Sequence, residues 1–132
     1  MGPYFRLFCI IDGAIGAAFA LGFLVLPTDL MQLFAVHLDP SGVLFVRATG
    51  AILLACSLLI LAFRNAPPSS ELAAFLRIFG FADLLLGTLF FLAAHAGVMN
   101  ALGYGLAAVC LGPGVLFILL SRTGARLARR AA

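Results

Sequence analysis

The sequence has no tryptophan and no lysine, and charged residues make up only 10% of it. A soluble domain carries roughly 25% charged residues, so this chain cannot cover a water-facing surface, and a soluble globular fold is excluded. All eight basic residues are arginine, which together with abundant alanine and glycine points to a GC-rich bacterial source. The three cysteines, Cys9, Cys56 and Cys110, stand singly in apolar runs with no C-x-x-C pair, and read as small hydrophobes. Nucleotide-binding glycine fingerprints, a nucleophile elbow and an H-E-x-x-H motif are all missing, so no catalytic residue is assigned. His37, His95, Met31 and Met99 follow no ligand spacing, and neither a metal nor another cofactor is expected. The pI of about 9.1 comes from arginines placed by topology, so no nucleic-acid partner is expected.

What the sequence does contain is apolar length. Hydrophobic residues reach 64% and the mean hydropathy is +1.21. Four stretches, near 5–26, 41–63, 72–95 and 100–121, approach the roughly 20 residues that cross ~30 Å of hydrocarbon. The expected fold is an all-α membrane protein, a single four-transmembrane-helix bundle over residues 1–132 in contact with membrane lipid. Between the first two spans, TDLMQLFAV predicts a short interfacial helix, with Asp29 and Gln32 spaced for a capping-box variant. Asp39-Pro40 opens the second span as N-cap and first helical residue. Ser69 or Ser70 caps the third, and Asn100 the fourth. Ala18-Phe19-Ala20 mimics a signal-peptide cleavage site, but Asp12 interrupts the apolar region before it, so cleavage is not expected.

Four crossings put Arg6, Arg64, Arg77, Arg122, Arg126, Arg129 and Arg130 on one side, against Asp29, Asp39 and both histidines on the other. Arginine excess marks the cytoplasmic face. Both termini are therefore expected inside the bacterial cytoplasmic (inner) membrane, with residues 122–132 as a basic cytoplasmic tail.

Charges within the spans repeat. RLFCIID (6–12) returns as RIFGFAD (77–83), and an offset of 71 aligns Arg6 with Arg77, Asp12 with Asp83 and Gly16 with Gly87. Arginine and aspartate six apart lie about 120° around a helix and ~9 Å along it, which is poor geometry for pairing within one helix. The first and third spans run the same way, so the acids share a depth. An intramembrane cluster of Arg6, Asp12, Arg64, Arg77 and Asp83 is expected, either fixing helix register or exchanging protons. Arg47, with Tyr104 at similar depth, is a candidate contact for a lipid head group or a quinone.

Small residues recur at four-residue spacing, as Gly13/Ala17, Gly16/Ala20 and Ala14/Ala18/Gly22 in the first span and as Gly103/Ala107 and Ala108/Gly112 in the fourth, and suit close helix packing or docking onto another subunit. Gly112-Pro113-Gly114 predicts a kink or local unwinding at Pro113.

With Gly22 to Pro27 closing the first span, the outer LDPSG segment, and FVRATGAILL carrying Arg47 and Gly50 three apart, the chain resembles the small four-helix bacterial membrane proteins of the DoxX-like group. The resemblance covers most of the chain and implies a role as an accessory subunit of a membrane complex, with no catalytic residue carried over. The expected function is a non-catalytic accessory or structural subunit partnered by other membrane proteins or by its own copies. The alternatives are a homodimeric proton-coupled transporter using Asp12 and Asp83, or a quinone- or lipid-binding redox subunit.

Overall fold

A computed structural model describes the backbone of residues 3–131 and the side chains of residues 3–123. The chain is all-α, with helices α1 (Pro3–Val25), α2 (Pro27–Leu33), α3 (Pro40–Phe63), α4 (Ser70–His95) and α5 (Leu102–Ala131). Helices α1, α3 and α4, and the Leu102–Thr123 part of α5, are each long and apolar enough to cross a membrane. The protein is thus an integral membrane protein with four candidate spans and a short helix between the first two.

Local chemistry sets the boundaries. The residue before a proline is driven out of the helical region, and Leu26, at φ −126° and ψ 51°, breaks the chain between α1 and α2. Pro27 then starts α2 with its φ already set. The capping box expected from Asp29 and Gln32 is not made: Leu26 is the N-cap and no side chain caps the helix. Proline at the first position has no N–H to satisfy, so one of the donors a cap would serve is already gone.

The end of α2 closes with Ala35 N–H donating to the Gln32 carbonyl at 2.9 Å and Val36 N–H to the Met31 carbonyl at 3.0 Å. This reversal needs a left-handed residue, and Ala35 fills the position at φ 60°. The end of α4 uses the same pattern, Gly97 donating to Ala94 and Val98 to Ala93, but with glycine at φ 73°.

Three caps stand where the sequence places them. Asp39 Oδ1 accepts from Gly42 N–H at 2.6 Å, with Pro40 behind it as the first helical residue. Ser69 Oγ accepts from Leu72 N–H at 3.1 Å. Asn100 Oδ1 accepts from Leu102 N–H at 3.0 Å. Helix α5 runs through Pro113 without interruption, so the unwinding expected there does not occur. One lost donor leaves most of the ladder intact, which membrane helices tolerate. The helix also continues through the basic tail. The side chains of Arg126, Arg129 and Arg130 lie outside the described residues.

The chain divides into two compact units between Asn65 and Ala66. In the first, α1 and α3 pack antiparallel and Leu30 of α2 lies over Gly22. In the second, α4 packs against α5, with Phe79 edge-on to the fully buried Phe117 at 6.5 Å. The division falls where the 71-residue offset starts its second copy.

Candidate functional site

Glycines set the approach of the helices in both units. In the first, a Cβ built on Gly13 would lie 2.7 Å from Leu61 Cγ, and one on Gly16 would meet Ser57 Oγ. From the other side, a Cβ on Gly50 would lie 2.9 Å from Phe23 Cβ and 3.0 Å from the Ala20 carbonyl oxygen. Ser57 is buried and turns its hydroxyl back to its own helix, donating to the Leu53 carbonyl at 2.8 Å. Lipid supplies no hydrophobic drive between helices, so this backbone proximity and its dispersion contacts are what hold the pair.

The second unit repeats the device with different residues. A Cβ on Gly80 would lie 2.8 Å from the Gly114 carbonyl oxygen, and one on Gly87 would lie 3.0 Å from that of Ala107. Gly103, Ala107 and Gly114 thus form the α4-facing side of α5. Of the two α5 rows expected to pack, Gly103/Ala107 meets α4, whereas Ala108 and Gly112 are exposed, and a Cβ on Gly112 or Gly105 meets no atom within 4 Å. At 100° per residue, Gly105, Ala108 and Gly112 share one side of α5 and Gly114 lies opposite. Helix α5 therefore has two faces of small residues, one occupied by α4 and one turned away from it. In α1, Gly13, Gly16 and Ala20 line the packed side, while Ala14 and Ala18 are exposed.

The charges fall in both units. Arg6, Asp12, Arg47 and Arg64 belong to the first, and Arg77 and Asp83 to the second. Asp12 is half-buried and shares the packed side of α1 with Phe5, Cys9 and Gly16. The α1–α3 register sets it level with Leu61, one turn inside Arg64. Asp83 is likewise half-buried on the packed side of α4, between Leu76, Gly80 and Gly87. Each acid precedes by four residues a glycine at the helix contact, Gly16 or Gly87. The sequence repeat is thus also a repeat of position within the hairpin. The arginines bond to backbone: Arg64 donates to the Leu61 carbonyl, and Arg77 Nε to the Ala73 carbonyl at 3.4 Å. Arg6 is exposed.

Arg47 is exposed on α3. Tyr104 lies edge-on to Phe91 at 5.5 Å, and Phe91 in turn stacks with His95 at 6.2 Å. Among the described residues, no group of three histidine, cysteine or acidic side chains converges on a common point.

Sequence reasoning passed over Gly80 and Ser57, and it met Gly87 and Gly114 only as a repeat counterpart and as part of the Pro113 motif, with no packing role. The signal for the first pair was present in the seven-residue spacing Gly80 to Gly87, which returns to one helix face every two turns. Comparison with protein-family models, with curated proteins and with solved structures finds no match to this chain.

Proposed function

We propose that this chain is a non-catalytic subunit of a larger membrane complex, held in a bacterial cytoplasmic membrane with both termini inside. The observation that carries the reading is the face of α5 turned away from α4. Gly105, Ala108 and Gly112 are exposed small residues on a candidate membrane span, and such residues let a facing helix approach closely, as Gly114 does for α4. Four crossings of the candidate spans would gather seven arginines on one side, and this supports the orientation. The LDPSG and FVRATGAILL segments support the DoxX-like likeness, whose implied role is that of an accessory subunit.

Native mass spectrometry of the protein extracted gently from its own membranes tests the reading. Stoichiometric foreign subunits are expected. A homodimer without other subunits would sink it and favour a small proton-coupled transporter. That second reading is supported by the equivalent half-buried places of Asp12 and Asp83 in the two hairpins. It requires Asp12→Asn and Asp83→Asn each to abolish transport with the protein still folded.

A further inference from the structure

Arg47 plays no part in the packing of its hairpin. Helix α3 begins at Pro40, so Arg47 sits seven residues inside a candidate span, ~10 Å along the axis. Its neighbours Leu44, Ala48 and Ala51 are exposed with it, while Gly50, on the adjoining flank, meets α1. The guanidinium therefore rises from a surface otherwise suited to hydrocarbon. Among the described residues it makes no ion pair or hydrogen bond, and Asp39 is occupied in capping Gly42.

Direction decides what it can reach. Helical side chains lean toward the N-terminus of their own helix. For Arg47 that is the Pro40 end, the nearer membrane surface, so its stem can lie along Leu44 while its head rises to the lipid phosphates. Arginine's planar fork matches a phosphate with two parallel N–H···O bonds and is less strongly hydrated than an ammonium group. We propose that Arg47 holds the phosphate of a membrane lipid against the first turns of α3. The site is a lipid-phosphate contact at the Pro40 end of α3, and it does not depend on the subunit role proposed above.

The test is native mass spectrometry of delipidated protein in detergent, titrated with phosphatidylglycerol and, as a phosphate-free control, diacylglycerol. Arg47→Gln is expected to weaken phosphatidylglycerol binding by roughly fivefold, the factor for one basic residue at a lipid surface, and to leave diacylglycerol binding unchanged. Arg47→Lys should keep most of the affinity. The same roughly fivefold loss should appear when Arg47→Gln is added to a background carrying Arg126→Gln, Arg129→Gln and Arg130→Gln and is measured against that background, which removes any contribution of the tail. Equal phosphatidylglycerol affinity in the wild type and Arg47→Gln would overturn the proposal. So would loss of both lipids together, which would mark a structural role. Release of a co-extracted protein by Arg47→Gln with lipid affinity intact would also overturn it, by assigning Arg47 to an acidic partner.

Discussion

Gly80 and Gly114 face one another across α4 and α5, each aimed at the other's backbone. A Cβ on Gly80 would lie 2.8 Å from the Gly114 carbonyl oxygen, and a Cβ on Gly114 would lie 3.0 Å from that of Gly80. Neither carbonyl can move without breaking its helix. A side chain at either position must therefore force the helices apart. Gly80→Val or Gly114→Val is expected to destabilise the protein by about 1–3 kcal/mol, the usual cost of overpacking. Unfolding in mixed detergent micelles measures it, and a change inside ~0.5 kcal/mol would show that the contact is not tight.

The contact at Gly16 differs because the obstacle is a side chain. The atom a Cβ there would meet is Ser57 Oγ, and the next is Ser57 Cβ at 3.5 Å. Gly16→Ala should destabilise the α1–α3 pair, and Ser57→Ala should cost little, since the hydroxyl bonds only its own helix. The double variant is expected to recover most of the loss, with a coupling of about 1 kcal/mol. Simple additivity in that cycle would contradict the placement of Ser57.

Ala35 and Gly97 occupy the same left-handed position at two helix ends, at φ 60° and 73°. Only one of them is the residue that conformation favours. Ala35→Gly is expected to stabilise the protein by up to about 1 kcal/mol, and Gly97→Ala to destabilise it by about the same or more. Thermal melts of the two variants should move in opposite directions.

The caps give a smaller, cleaner effect. Asp39→Ala removes the acceptor for Gly42 N–H, and Ser69→Ala the acceptor for Leu72 N–H. Each is expected to cost about 1 kcal/mol. Asp39→Asn should retain most of the stability, because its amide oxygen can accept the same bond, and equal losses for the two Asp39 variants would argue against capping.

These elements differ in how far the sequence announced them. Span number followed from apolar length, and the caps at Asp39, Ser69 and Asn100 from residue type beside proline or an apolar run, because each rule is local. The start of α2 was misread because two local signals competed, Asp29 with Gln32 against Pro27, and proline at the first position prevailed. Pro113 lies in an unbroken helix because one missing donor is a small loss in a long ladder. Which small residues pack was only partly legible: the rows Gly103/Ala107 and Ala108/Gly112 of α5 look alike in spacing, as do Gly16/Ala20 and Ala14/Ala18 of α1, yet only the first of each meets a neighbouring helix. Both Gly112 and Gly114 satisfy the composition rule, and only the angle at which α4 approaches separates them. The alignment of Asp12 with Asp83 was visible as spacing. Their shared half-buried position, four residues before a contact glycine, required the hairpins themselves.

That separation between Gly112 and Gly114 allows the most direct measurement of the central claim, that the face of α5 turned away from α4 docks onto another membrane protein. Wild type, Gly112→Leu and Gly114→Leu would be extracted gently from native membranes and compared by native mass spectrometry and by melting temperature. The expected result is that wild type carries stoichiometric foreign subunits. Gly112→Leu should lose them at an unchanged melting temperature, while Gly114→Leu melts lower because α4 is displaced. Retention of the same subunits by Gly112→Leu, or their absence from the wild type, would contradict docking through this face.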